Sequence, residues 1–532
     1  MTPADPASTP IADTIGGLVV AAAECFGDTE ALVDGDLRLT FGELRWHVQD
    51  TAASFVAAGL QRGDRVAIWA PNSAEWVIAA LGASSAGGVL VPLNTRFKGA
   101  EAADILQRSG AAFLLCVNDF LGNDYVAMVR SSGVDLPDLR RIVVLQGPAD
   151  AGAISWQEFR DLGDAASEQE ALHRIDTRSP MALSDIIFTS GTTGRPKGVM
   201  CTHGQTLRVF QAWSGIVGLA HADRYLIVNP FFHTFGYKAG FLACLLRGAT
   251  IVPEPVFDVA SVLRRVEAER ITMLPGPPTL FLTLLDVPDR ERYDLSSLRL
   301  AVTGAAAVPV EMIRRMREEL TFRVIITGYG LTESTGTIAM CRPEDDPETI
   351  ATTSGRAIPD VEMRVVDEEG NEVPRGTAGE IVCRGYNVMQ GYFRDEAATA
   401  EAIDRAGWLH TGDIGVMNDR GYIAITDRKK DMFIVGGFNA YPAEIENILL
   451  GHPAIAHAAV VGVPDDRQGE VGHAFVVARS GCILDAAEVT AWSREHMANF
   501  KVPRAVHVVE ALPTNASGKV LKFELRRRAR GG

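Results

Sequence analysis

The chain has 532 residues, 47% of them hydrophobic, and a formal net charge of −16 from 67 acidic against 51 basic residues. That length gives room for two to four domains or subdomains with sizeable cores. The acidic balance argues against broad nucleic-acid binding, so a polyanionic ligand has to be met by cations gathered at one place. Seven cysteines, with no CxxC pair and no metal-ligand spacing, fit a reducing compartment. The first ten residues, MTPADPASTP, carry acid where a secretory signal needs base. The longest apolar stretch, residues 76–91, is interrupted by Gly82, Ser84, Ser85, Gly87 and Gly88. It reads as a helix followed by a strand, not as a membrane span. A soluble, cytoplasmic protein, monomeric or homodimeric, is expected.

In chain order, ALVDGDLRLT predicts a hairpin turning at Asp34-Gly35. Thr40 and Glu43 form a capping box that opens a helix running to about Gly59. DRVAIWA reads as a buried strand, PNSAEWVIAALGASSAG as a helix and GVLVPLN as the next strand. This alternation predicts an α/β fold with largely parallel sheets. Residues 147–180 read as a connection with one short helix. Five strands follow, in YLIVNPFF, ATIVPE, ITMLPG, LRLAVTGAA and FRVIITGYG. Their carboxyl ends are where an open α/β sheet collects ligands, so TSGTTG, GAAAVP and GYGLTES are expected at one rim. After residue 351 the pattern turns to β, with turns at Glu369-Gly370 and Arg375-Gly376. A charge cluster, DRKKD at residues 427–431, divides a large N-terminal domain, 1–427, from a small α+β domain, 428–532. A short charged junction of this kind suits a hinge.

Residues 188–198, FTSGTTGRPKG, hold four hydroxyls, three glycines, one proline and two cations. Free backbone N–H groups, hydroxyls and a lysine together make an anion cradle, and glycine lets backbone approach the ligand. The segment is not a Walker loop, because Pro196 stands where that pattern needs glycine before lysine.

This loop, followed by YGLTES, WLHTGD, DRKKDMFIVGGFNAYPAEIE and PTNASGK, resembles in order and spacing the motifs of the adenylate-forming superfamily, which includes the acyl-CoA synthetases. The resemblance spans essentially the whole chain. NPFFHTFGYKAG, MCRPEDD and REHMANFK are similar to actinobacterial acyl-CoA ligases of steroid breakdown, which activate a bicyclic methyl-dioxo-octahydroindenyl propanoate.

The resemblance implies ATP, Mg²⁺ and coenzyme A as reactants or cofactors, and a role for each matching residue. Thr189, Ser190, Gly191, Thr192, Thr193 and Gly194 would form the loop around the β- and γ-phosphates, with Lys197 supplying charge. Glu333, with Thr192 beside it, would hold Mg²⁺. Thr332 would contact the α-phosphate. Tyr329 and Gly330, with Gly304, Ala305 and Ala306, would line the adenine and substrate junction. Asp413 would take the ribose diol, and Arg428 would reach ribose and phosphate. Lys519 would bridge carboxylate and α-phosphate during adenylation. Lys430 would be the hinge, and Gly436 and Gly437 the pantetheine tunnel. His233 matches the gate of the acid pocket. Tyr237 and Lys238 follow it closely, so one of them is expected to face the acid, with the Lys238 ammonium reading a ring ketone; otherwise Lys238 points outward to surface acid.

An ATP-dependent acid–CoA ligase is the leading expectation. A general medium- or long-chain ligase, an acyl-AMP ligase loading a carrier protein and a decayed nucleotide sensor are the alternatives. The absence of an insert between Thr332 and Lys430 favours CoA, and the presence of Thr192, Glu333, Asp413 and Lys519 opposes decay. The aromatic run around His233 disfavours an α-amino acid.

Overall fold

The computed structural model describes residues 10–149, 152–189, 196–304, 308–428, 431–435, 438–440, 442–465, 468–497, 499–514 and 520–530. Two compact units emerge. The first comprises residues 1–362 and 384–409, the second residues 363–383 and 410–532.

Among the described residues, the first unit is organised around a nine-stranded sheet. At its centre Arg65–Trp69 runs parallel to both Val89–Pro92 and Ala111–Phe120. These strands are near-continuous apolar runs because helices cover them, as a parallel sheet requires. Next to them, Leu183–Thr189 pairs in parallel with Val89–Pro92 through Leu90 and Asp185. It pairs antiparallel with Lys197–Thr202, and Gly391–Tyr392 closes that edge. A second sheet contains Arg224–Ile227, Thr250–Pro253, Glu30–Asp34 and Leu37–Thr40. A third contains Leu300–Thr303, Val324–Tyr329, Ala339–Met340 and Arg356–Ala357.

Local chemistry accounts for several boundaries. The Thr40–Glu43 capping box is formed on both sides, and its helix runs Phe41–Ala57. The hairpin turn lies one residue later than expected: Asp34 pairs with Leu37, leaving Gly35 and Asp36 as the turn, with Gly35 at φ 58°. Residues 152–180 hold two helices, Trp156–Arg160 and Ala165–Asp176, not one. ITMLPG is not a strand; only Met273 bridges, to Tyr225 and to Leu300. Pro275 and Pro277 have no N–H to extend a ladder there.

Val361–Val366, Ala378–Gly385, Leu409–Met417 and Ile423–Arg428, most of whose residues belong to the second unit, form a four-stranded sheet, with the turn glycines Gly370 and Gly376 at φ 84° and 83°. A further sheet contains Phe438–Ala440, Phe433–Val435, Gly469–Ala478, Ile455–Asp465 and Ala505–Val508. Its core gathers Phe433, Ile445, Leu449, Val460, Val476 and Val489. Phe433 lies over the cross-strand pair Gly462 and Gly472, where added side chains would collide with its ring. Among the described residues no helix is long and apolar enough to cross a membrane.

Candidate functional site

The first unit brings the strands flanking the expected phosphate loop together with the segment after Tyr329. Leu183–Thr189 and Lys197–Thr202 are the two arms of a hairpin, closed in register by Thr189 opposite Lys197. The expected loop residues Ser190, Gly191, Thr192, Thr193 and Gly194 lie outside the described residues, as do Ala305 and Ala306. On the outer arm, Val199 pairs with Tyr392, and Phe393 N–H donates to the Gly198 carbonyl at 2.7 Å.

Tyr392 joins the two halves of the site. Its hydroxyl donates to Glu333 Oε1 at 3.0 Å, and Lys197 Nζ sits 4.9 Å from its ring centre. Burial first, and then the Glu333 charge, push the phenol pKa well up, so it stays a donor. Thr399 Oγ1 fixes the Tyr392 backbone N–H at 2.8 Å, and Met389 N–H donates to the Glu333 carbonyl at 2.9 Å. Tyr392 belongs to none of the motifs read from the sequence. The available signal was its place in GYFRDEAAT, a short strand ending in an Asp395 helix cap.

Glu333 lies in the single turn Thr332–Ser334 after Tyr329, which is 7% exposed. The bend between them needs Gly330, where a Cβ would strike the backbone of Gly336. Gly304 follows Leu300–Thr303 at φ 154°, close to the Gly328 carbonyl. Glu333 offers a half-buried, fixed carboxylate. Such an oxygen donor suits a hard cation that takes its other ligands from phosphate and water.

The segment leading to His233, expected to gate the acid, is held by Asn72. Its side-chain amide donates to the carbonyls of Ile227 and Asn229, each at 3.0 Å, and its Oδ1 accepts from Phe231 N–H at 2.8 Å. His233 caps the turn Thr234–Gly236 and is solvent-exposed. Desolvation by the protein around the ring nevertheless lowers its pKa. Its Nδ1 accepts from Phe235 N–H at 3.4 Å.

Tyr237 is 2% exposed and packs with Trp76 and Phe241 at centroid distances of 6.2 and 5.2 Å. Lys238 overturns both expectations made for it. Its Nζ lies 2.8 Å from Asp185 Oδ1, and both side chains are 0% exposed. The ammonium neither reaches solvent nor is spare for a ketone. The contact is close but off-line for a hydrogen bond. Burial opposes the Lys238 charge, but the Asp185 carboxylate outweighs it and raises the pKa.

In the second unit, Asp413 and Arg428 are cross-strand partners in register. Asp413 is 5% exposed, and its N–H donates to Thr411 Oγ1 at 3.1 Å. Lys430, Gly436, Gly437 and Lys519 lie outside the described residues. Thr514 and Val520, on either side of the PTNASGK segment's end, form a bridge. Among the described residues, no group of three His, Cys, Asp or Glu could hold a metal.

The profile of the AMP-binding enzyme family matches residues 19–393, and that of its C-terminal domain residues 444–519. Two proteins named 3-[(3aS,4S,7aS)-7a-methyl-1,5-dioxo-octahydro-1H-inden-4-yl]propanoyl:CoA ligase are 52% identical to the chain. The one from Rhodococcus jostii (strain RHA1) is matched over 95% of this chain and 96% of its own length, and the one from Mycobacterium tuberculosis (strain ATCC 25618 / H37Rv) over 94% and 96%. The crystal structure of the anthranilate CoA ligase AuaEII in complex with anthranoyl-AMP superposes with a TM-score of 0.85 at 27% identity, covering 97% of each chain.

Proposed function

The chain belongs to the AMP-binding enzyme family, and from that premise we propose that its acid is a steroid-derived bicyclic keto-propanoate of the methyl-dioxo-octahydroindenyl type. The enzyme is an AMP-forming acid–CoA ligase that works through an acyl-adenylate. The observation supporting the acid is the 52% identity, sustained over 95% and 94% of the chain, to two ligases named for it.

The carboxylate attacks the α-phosphorus of ATP and expels pyrophosphate; the CoA thiol then attacks the acyl carbonyl and expels AMP. Neither step needs a protein nucleophile, so the residues serve positioning and charge stabilisation. Thr189, Ser190, Gly191, Thr192, Thr193, Gly194 and Lys197 hold the β- and γ-phosphates, and Thr332 contacts the α-phosphate. Tyr329, Gly330, Gly304, Ala305 and Ala306 line the adenine and acid junction. Asp413 accepts from the ribose hydroxyls, since a carboxylate offers two acceptor oxygens, and Arg428 reaches ribose and phosphate. Lys519 bridges carboxylate and α-phosphate as a compact charge on a long stem.

Glu333 and Thr192 would hold Mg²⁺, which would supply positive charge to the phosphate oxygens. Residues 428–532 reorient about Lys430 between the steps, and Gly436 and Gly437 then line the pantetheine path. His233 gates the acid. The enzyme acts as a monomer or homodimer in the cytoplasm.

Pyrophosphate release from a panel of acids, with and without CoA, tests this reading. The bicyclic keto-propanoate should support release and, with CoA, a thioester product. Turnover of fatty acids with none of the bicyclic acid would replace this substrate by a medium- or long-chain one.

A further inference from the structure

The Asp185–Lys238 pair belongs to none of the roles above, yet it connects two of them. Asp185 stands on Leu183–Thr189, opposite Cys201 on Lys197–Thr202. It is four residues before Thr189 and on the same face of the strand, roughly 13 Å from the mouth of the phosphate loop at strand rise. Its backbone is tied to the central parallel sheet through Leu90. Lys238 stands on the π-helical run Tyr237–Leu242, one turn after His233, whose carbonyl accepts from Tyr237 N–H at 3.0 Å. The run is irregular, with Gly240 at φ −88°, ψ −105°. π-Helical turns of this kind are frequent at functional sites.

Asp185 is itself oriented. Ser184 Oγ donates to its Oδ2 at 2.6 Å and lies 3.1 Å from the Cys201 carbonyl and 3.3 Å from Thr206 Oγ1. Ser184, Asp185, Cys201, Thr206 and Lys238 are all 0% exposed. A buried ion pair of this kind rarely adds stability over apolar residues of the same volume. What it does supply is a fixed relative position, because neither charge can move off its partner without being stranded in a dry core.

We propose that Asp185 and Lys238 are positioning residues for adenylation: their pair locks the acid-gate segment, residues 231–242, onto the two strands that carry the phosphate loop, so that acid carboxylate and polyphosphate are presented to each other in one rigid frame. This rests on the reading of residues 189–198 as the phosphate loop and of His233 as the acid gate.

The test replaces the pair by apolar residues, Asp185→Leu with Lys238→Met, so that no charge is stranded; Ser184 keeps the Cys201 carbonyl as acceptor. Three quantities are measured: melting temperature, the single-turnover rate of acid-dependent pyrophosphate release, and the rate of thioester formation from supplied acyl-AMP and CoA. The expected result is a melting temperature near wild type, an adenylation rate reduced at least about tenfold, as misplaced reactants lose rate steeply, and an almost unchanged thioester step. Asp185→Asn, which keeps the volume and an acceptor for Ser184 but leaves the Lys238 ammonium unpaired, should show the same selective loss with a lowered melting temperature. Wild-type adenylation in the double variant, or equal loss of both half-reactions, overturns the proposal. So does failure of both variants to fold, which would make the pair a requirement of the fold. A Lys197→Ala control separates the premise. If it leaves adenylation intact, the phosphate-loop reading fails and this proposal with it; if it impairs adenylation while the double variant does not, the pair alone is refuted.

Discussion

The Tyr392 hydroxyl donates to Glu333 Oε1 at 3.0 Å, and the same ring carries the Lys197 ammonium 4.9 Å from its centre. One side chain thus spaces the carboxylate read as a cation ligand from the lysine read as a phosphate contact. Tyr392→Phe keeps the ring and removes only the donor. A hydrogen bond to a charged acceptor contributes roughly 1.5–3 kcal/mol, so adenylation should fall by about one to two powers of ten if that energy is realised in the transition state. The Mg²⁺ concentration for half-maximal rate should rise, and the melting temperature should barely change. Titration of Mn²⁺ by electron spin resonance checks the cation arm without turnover. Unchanged Mg²⁺ dependence and Mn²⁺ affinity would show that Glu333 needs no such support.

Lys519 divides the two half-reactions. Lys519→Ala should abolish acyl-AMP formation, by several powers of ten as for other transition-state charge contacts. Thioester formation from supplied acyl-AMP should persist. The measurement is rapid-quench analysis of each half-reaction, and equal damage to both would contradict the assigned role.

His203 predicts an acid limb of stability. It is 0% exposed, and its ring faces two donors: Ile15 N–H at 3.3 Å from Nδ1 and Arg178 Nε at 3.2 Å from Nε2. A protonated ring would have no acceptor for either N–H. Burial, then Arg178 and Lys238, lower its pKa to about 3. Between that value and the ordinary 6.5, the unfolded chain binds a proton that the folded one refuses. The contribution is therefore fully present above pH 6.5 and is lost as pH falls, with a slope of up to about 1.4 kcal/mol per pH unit. Denaturant midpoints of wild type and His203→Gln from pH 4 to 8 check it; the wild-type curve should be the steeper, and parallel curves would refute it.

Much of the architecture was legible because it is local. Thr40 and Glu43 announce their helix by a reciprocal hydrogen-bond pattern, and the apolar runs at residues 65–69 and 89–92 announce buried parallel strands. Both helices before the hairpin of Leu183–Thr189 and Lys197–Thr202 carry a local signal, the Ser155–Glu158 box for the first and the Asp164 cap for the second, although a single short helix is expected from the polar composition of the stretch. ITMLPG is apolar enough for a strand, but Pro275 and Pro277 cannot donate to a ladder, and only Met273 bridges. The Lys238 expectation failed for a different reason: its partner is 53 residues away (238 − 185). Periodicity says which face a residue takes, not which distant carboxylate meets it. Tyr392 escaped likewise, since its meaning lies in Glu333 and Lys197, which only the folded sheet edge brings to it.

The acid is the central claim, and with Lys238 committed to Asp185 it rests on likeness to the two propanoyl:CoA ligases. The most direct test is kcat/KM for CoA-thioester formation, measured side by side for the bicyclic keto-propanoate and for a saturated straight-chain acid of equal carbon number. The account predicts a preference for the bicyclic acid of at least about tenfold, the order of discrimination that a few pocket contacts provide, and that Lys238→Met, where it folds, leaves this ratio unchanged. Equal efficiency, or preference for the saturated chain, would contradict it and make a general medium-chain ligase the better description.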